Sequence, residues 1–557
     1  MPNKEALKLC FRAFSFSAHN VTYLYTFSLL LAILTFKNYV SVTNQYSLKI
    51  VMNLFYKSII ASFLVAGSLS ASAQTVSDRA GDLGNNTYLN PILGGDYPDP
   101  SIMRDGKDYY MTHSAFDYLP GLTVWHSTDL VNWEPISYGL KTYLGSIWAP
   151  DICKHGNLYY IYFTVARKGN YVVYAKDPHG PWSEPVDLKV GGIDPCHIVD
   201  ETGQRWLFLS GGERAKLSAD GLSVVPGTLQ KVYNGWDFPD DWVTEGKAME
   251  GPKLKKVGQY YYWLSAEGGT AGPPTSHMEV VARSKSINGP WENAPNNPLI
   301  HTYSGAEKWW SKGHASLIDA PDGKWWIVYH SYQNGFLNLG RQTLLEPVQF
   351  TADGWIKAPT GRGVEKPIVK PIKSTKPIDR LAHLDEYRIG LEWKYYEKYD
   401  PARASAKNGV LTLKAQGTTP QESAPLLFVA GTPNYEFSFK MEKDADAVAG
   451  LVMFYNADFY VGTGFDSKSR MRWRKGAAKG RYEHTGNNLL WMKLRIVDNI
   501  VTGYYSYDGK DWKKEQWSME VSGYNHNTLY DFESILPGIF AYGKGEVKFS
   551  DLKFTRL

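Results

Sequence analysis

One pattern recurs five times between residues 88 and 358: a carboxylate or His beside a Pro or small residue, a short apolar run, a tight polar turn, then an aromatic strand. The first copy runs Asp99-Pro100-Ser101-Ile102-Met103, turns at Asp105-Gly106 and continues as Tyr109-Tyr110-Met111. The others open at Asp151, Asp194, Glu250 and His314, and their aromatic strands begin at Tyr159, Trp206, Tyr260 and Trp325. Successive copies start 52, 43, 56 and 64 residues apart. A small antiparallel sheet of that length cannot bury its faces alone, so five in series predict a five-bladed β-propeller. Helical periodicity is nearly absent here. One large irregular β-sandwich is the alternative, but it does not call for five similar copies.

Residues 359–378 interleave Pro359, Pro367, Pro371 and Pro377 with Lys366, Lys370, Lys373 and Lys376, the composition of an extended, solvated linker. Beyond it, residues 379–557 alternate strand-like runs such as Tyr435 to Lys440, Gly450 to Tyr455 and Met492 to Val497 with turns such as Asp508-Gly509. That spacing predicts a β-sandwich. The chain is therefore expected to be all-β in two domains, 88–358 and 379–557, with a short lead-in over 74–87.

Ahead of the lead-in stand two apolar runs, Val21 to Phe36 and Ile59 to Leu69, both shorter than a membrane-spanning helix needs. The second follows Met52 and Lys57 and ends in Ala71-Ser72-Ala73, the layout of a secretory signal peptide. Translation is expected to start at Met52, with 1–51 a mis-called extension and cleavage after Ala73; an N-terminal anchor with two hydrophobic passes is the other reading. Export follows from the first, and a periplasmic address if the source has two membranes. Cys153 and Cys196 would remain, as one bridge or as two buried thiols. Lys+Arg 60 against Asp+Glu 56, with no long block of one sign, excludes an electrostatic footprint for nucleic acid. Aromatic residues make up 14% of the chain, enough to serve both a strand-dominated core and flat sugar faces.

In a propeller the innermost strand of each blade starts at the axis, so equivalent positions meet in one funnel. Here they are Asp99, Asp151, Asp194, Glu250 and His314. Clustered carboxylates raise one another's pKa and are costly unless they bind metal, share protons or do acid–base work. Glycoside hydrolysis uses such a set: one carboxyl protonated for the leaving oxygen, another ionised to activate water or attack the sugar. Asp151 follows Ala149-Pro150, which reads equally well as a turn into a strand, and it is left out of the catalytic set.

The motifs Asn90-Pro91-Ile92-Leu93, Tyr97-Pro98-Asp99-Pro100-Ser101, Gly145-Ser146-Ile147-Trp148-Ala149-Pro150, Ile193-Asp194-Pro195, Met249-Glu250-Gly251-Pro252 and Gly340-Arg341 together resemble glycoside hydrolase family 43. The likeness spans 88–358 in order, and the sandwich resembles the concanavalin-like C-terminal domain that many members carry. It implies inverting hydrolysis with Asp99 as general base, Glu250 as general acid and Asp194 orienting the acid and raising its pKa. It also implies Trp148 stacking on the sugar, Phe116 at the pocket rim, and Arg341 bonding sugar hydroxyls or steadying a carboxylate. In some members a His at the position of His314 belongs to a calcium-linked water site, so the resemblance offers His314 as a sugar contact or a metal ligand. No cofactor is otherwise required.

Ser114-Ala115-Phe116-Asp117-Tyr118 departs from the Thr-Phe-Glu-Trp rim of many β-xylosidases of the family, and Tyr97 stands where those often have His. These departures favour terminal α-L-arabinofuranosyl units of arabinoxylan or xyloglucan as the substrate. β-Xylosidase action is the near alternative; an endo-arabinanase and a catalytically silent carbohydrate-binding protein are the further ones.

Overall fold

The computed structural model describes residues 81–359, 363–373 and 393–557. The stretch 1–73 with its apolar runs, and the lead-in up to residue 80, lie outside the described residues. Five antiparallel four-stranded sheets follow one another along the chain, and their innermost strands are Ser101–Asp105, Ile147–His155, Cys196–Val199, Met249–Val257 and Trp309–Asp319. The fourth sheet gains an extra edge pairing from Ile300–His301. These are the five blades of a propeller, one per repeat.

The aromatic strands lie second in each blade. Leu158–Val165 is buried from Tyr159 to Val165 without alternation, as is Tyr261 to Glu267 in Tyr260–Glu267. Blades stack face to face, so a second strand is covered on both sides and its sequence reads as an unbroken apolar and aromatic run rather than a period of two. The ring closes through the N-terminal stretch, which runs beside Gln342–Phe350 of blade 5. Ile92 N donates to Thr343 O at 3.0 Å, and the Asn90 side chain bonds Leu345 N and Leu345 O at 2.9 Å each.

Part of the expected linker is built into this closure. Ile368–Val369 pairs with Thr87–Tyr88. Lys370, expected to be solvated, is buried with its Nζ 2.5 Å from Asp82 Oδ2 and 3.9 Å from Asp129 Oδ2. A buried ammonium survives only against carboxylates that compensate its lost hydration, and no local composition announces such a partner almost three hundred residues away. Residues 374–392 lie outside the described residues.

The C-terminal part is a sandwich of an eight-stranded and a seven-stranded antiparallel sheet. Between them lies a core of Phe437, Phe439, Met441, Leu451, Met492, Leu494, Ile539 and Phe549, all at most 1% exposed. The eight-stranded sheet takes its last strand from the propeller: Tyr118–Leu119 of blade 1 pairs with Tyr395 and Tyr396. Among the described residues one α-helix occurs, His526–Leu529, in the loop that leads to Leu536–Gly543. No described helix is long and apolar enough to cross a membrane. Cys153 and Cys196 are free thiols.

Candidate active site

Counting back six residues from each inner hairpin corner (Asp105, His155, Asp200, Val257, Ala320) gives Asp99, Ala149, Asp194, Gly251 and His314. Asp99, Asp194, Gly251 and His314 share a left-handed backbone, φ +55°, +57°, +57° and +59°. This is uncommon for residues with a Cβ. Repeated in one position of several blades, it is strain kept by the surrounding structure to turn side chains to the axis. In blade 4 the glycine takes the left-handed turn, and a Cβ on it would stand 2.7 Å from the His314 ring. The carboxylate comes one residue earlier, from Glu250, where the strand is bulged. Blade 2 is bulged between Trp148 and Asp151 and delivers Trp148 instead.

That register corrects one expectation. Asp151, in the series expected to converge, lies two residues further along, beside Ser101, Cys196, Lys253 and Ser316 of the other blades. Its Oδ1 is 3.0 Å from the buried Lys253 Nζ and 3.1 Å from Ser101 Oγ, and its Oδ2 accepts the His197 amide at 2.9 Å. It is a tie between blades. Counted from its own corner at His155 it stands four residues back, as Ser101 does from Asp105, and not six.

Asp99, Asp194, His314 and Arg341 are buried together, while the Glu250 side chain remains 22% exposed. Arg341 holds Asp99 in a fork, Nη1 to Oδ1 at 3.0 Å and Nη2 to Oδ2 at 3.4 Å. Ser114 Oγ donates to the same carboxylate, and His314 Nδ1 and His330 Nδ1 stand 3.2 and 3.0 Å from its Oδ1. Burial pushes the Asp99 carboxyl up, but Arg341 first and then the two imidazoles hold it well below the usual carboxylate range. Asp99 is therefore an anion in the folded protein.

Asp194 accepts Gly251 N and Ser210 Oγ, both at 2.9 Å, so blade 3 is tied to the residue next to Glu250. Burial, then the charges of Glu250 and Asp99, push Asp194 up to about 7. Burial likewise raises Glu250, but His277, whose Nε2 lies 3.4 Å from Glu250 Oε1, more than offsets it and leaves that carboxyl lowered. Two carboxyls that feel each other this strongly titrate as a pair, and below about pH 7 the pair retains one proton. The kcat/KM profile is expected to lose activity as pH rises through about 7, where that proton leaves. Asp99 should lose its charge only below the ordinary carboxylate range. Asp194→Asn removes the second charge, and the basic limb should then move down by about one pH unit or more.

The rim is completed from the sandwich. Phe532 is half-buried, stacks on Phe116 at 5.8 Å between centroids and meets Trp148 edge-on at 5.8 Å. His526 stacks on its other side at 3.8 Å, and Arg341 Cζ lies 5.0 Å from its centroid. Asn527 exchanges hydrogen bonds with the Gly272 backbone of blade 4 at 3.1 and 2.9 Å, so this loop is fastened across the site. Phe116, expected at the pocket rim, is only 3% exposed and lies under Phe532. Trp148 is half-buried with its Nε1 on Ser146 Oγ at 3.1 Å. Phe532, His526, His277 and His330 carried no sequence signal, since each lies outside the repeated motif.

Asp99, His314 and His330 also bring ligand atoms within 4.8 Å of one another. One carboxylate and two imidazoles, with a guanidinium already on the carboxylate, do not fit calcium, which takes six to eight oxygens. His314 Nε2 is buried without a hydrogen-bond partner.

Residues 88–356 match the family model Glycosyl hydrolases family 43, and residues 383–555 match Beta xylosidase C-terminal Concanavalin A-like domain. The chain belongs to glycoside hydrolase family 43. Its propeller and concanavalin-like sandwich are the two modules those models describe. A non-reducing end alpha-L-arabinofuranosidase of Bacteroides ovatus is 34% identical over 364 residues, 60% of this chain and 66% of that protein. A xylan 1,3-beta-xylosidase of Vibrio is 28% identical over 494 residues, 76% of this chain and 90% of that one. A solved Bacteroides ovatus family 43 structure, described as belonging to a xyloglucan PUL, superposes with a TM-score of 0.75 at 26% identity, covering 85% of this chain and all of that one.

Proposed function

We propose that this family 43 protein is an exported, exo-acting, inverting glycosidase that removes terminal non-reducing α-L-arabinofuranosyl units from hemicellulose side chains. The observation that carries this reading is the division of charge in one buried cluster: Asp99 is held as an anion while Asp194 and Glu250 keep a proton between them. Asp99 takes a proton from water as the water attacks the anomeric carbon, and Glu250, the partly exposed carboxyl, gives its proton to the departing oxygen. Asp194 stays beneath as the partner that keeps the pair protonated. The sandwich loop with Phe532, fastened through Asn527, closes one side of the cavity, which suits a pocket for a chain end better than a cleft for a chain interior. Export, to a periplasm in a two-membraned cell, rests on the leader-like stretch 52–73.

Arabinofuranose is preferred on the Bacteroides relative and on the departure of Ser114-Ala115-Phe116-Asp117-Tyr118 and of Tyr97 from the β-xylosidase pattern. β-D-Xylopyranose is the second reading, favoured by the Vibrio relative and by the description of the C-terminal domain. Initial rates on matched p-nitrophenyl α-L-arabinofuranoside and β-D-xylopyranoside decide between them. The arabinoside is expected to turn over faster; the reverse order makes the protein a β-xylosidase with the same machinery, and no release from either overturns the exo-glycosidase reading. Phe532→Ala should raise KM for the preferred glycoside about ten-fold with a smaller change in kcat, the loss of an aromatic contact worth ~1.4 kcal/mol. Steady-state kinetics with each variant measure it.

A further inference from the structure

The strand Leu489–Val497 alternates strictly: Leu490, Met492, Leu494 and Ile496 face the sandwich core, and Trp491, Lys493 and Arg495 face outward. Polar residues are expected on that outer face, and a tryptophan there adds nothing to the core. Trp491 lies beside the Asp508–Trp512 turn, where Gly509 (φ +73°) approaches closely: a Cβ on it would stand 2.9 Å from the indole Nε1. Trp512, at the end of that turn, is half-buried, with Lys493 Nζ 4.6 Å from its ring. Both indoles line a groove of about 530 Å³ on the outer face of the seven-stranded sheet, within the roughly 300–1,000 Å³ of small-molecule sites.

The charges in the groove decide what it suits. Glu436, Asp508 and Asp551 are matched by Lys493, Lys510 and Lys553, and Lys493 is already bonded to Glu436 at 3.0 Å. The groove has no net charge to attract a polyanion or a polycation. It offers two half-buried indoles, with Lys440 Nζ over Trp491 at 5.3 Å and Lys493 Nζ over Trp512 at 4.6 Å, and charged donors and acceptors beside them, the combination that suits a neutral polyhydroxylated chain with apolar C–H faces and hydroxyl edges. None of its strands carries the Phe532 loop.

We propose that this groove is a second carbohydrate site, which holds a neutral hemicellulose backbone of the arabinoxylan type on the sandwich while chain ends are processed in the propeller. It goes beyond the glycosidase reading and rests on it only for the class of polysaccharide. The test is native affinity electrophoresis of the full chain in gels with soluble arabinoxylan, with polygalacturonate or with no polymer, repeated with arabinose and xylose added to fill the catalytic pocket. The wild type should be retarded by arabinoxylan alone and remain so with the monosaccharides present. Trp512→Ala, in a turn, and Trp491→Ala, in the sheet, should each weaken the polymer Kd at least ten-fold while keeping the rate on a small p-nitrophenyl pentoside within two-fold, a rate that also reports folding. The proposal is overturned if Trp512→Ala migrates like the wild type, if monosaccharide abolishes retardation, or if the polyanion is the polymer that retards. Retardation without turnover would sink the glycosidase reading and leave the groove standing.

Discussion

Asp99→Asn is expected to lower kcat on arabinosides by about 10³ to 10⁴, or ~4 to 5.5 kcal/mol of transition-state stabilisation, with KM little changed. The amide keeps the shape of the carboxylate but cannot take the proton of the attacking water. Arg341, His314 and His330 already hold the native group as an anion, so the variant loses a charge present throughout the working pH range. It also leaves the Arg341 guanidinium, 4% exposed, without its carboxylate. Stripping one partner from a buried pair costs roughly 3 to 5 kcal/mol of stability, so the melting temperature should fall as well. Rates are therefore to be compared below the variant's transition. A variant that is folded and still within ten-fold of the wild type would remove Asp99 from the role of base.

Glu250→Gln is expected to separate substrates by leaving group. With an oligosaccharide leaving group, which departs only when protonated, kcat should fall by about 10² to 10⁴. With p-nitrophenol, which departs readily as an anion, the loss should be far smaller. Sugar binding should change little, because the amide is nearly isosteric and the side chain is partly exposed rather than locked in the cluster. Rates on arabinoxylo-oligosaccharides beside those on the p-nitrophenyl glycoside give the ratio. Equal losses on both would argue that Glu250 positions the sugar instead of donating a proton. A protein that only binds sugar would show no rate to lose.

The elements that the chain announced locally are those whose signal is contained in one hairpin. Each blade repeats an apolar run, a turn and an aromatic strand, and a sheet covered on both faces leaves that unbroken pattern in the residues themselves. Asp99, Asp194 and His314 stand at one offset from their turns for the same reason, and Glu250 differs by the single residue that Gly251 inserts. Asp151 shows the limit. Its spacing from the next repeat fits the series, but its distance from its own turn is four residues and not six, which sets it two places along the strand, in the ion pair with Lys253. Local composition also misjudged Lys370. A lysine among prolines reads as solvated, and only the fold brings Asp82 and Asp129 against it.

By itself, then, the sequence determined the five-fold β repeat, the sandwich after it, and the axial positions of Asp99, Asp194, Glu250 and His314, because each is written in short-range spacing; Arg341 was offered only by the family resemblance. The tertiary structure decided what those groups are. Asp99 is an anion because Arg341, 242 residues on, lies against it, and Asp194 is raised because it is buried among the charges that Glu250 and Asp99 bring from other blades. The ring that packs against Trp148 and Arg341, Phe532, arrives from the other domain, and Phe116 lies beneath it. Charge state, burial and enclosure depend on distances between segments remote in the chain, and those distances exist only once the blades have closed and the sandwich has docked on them.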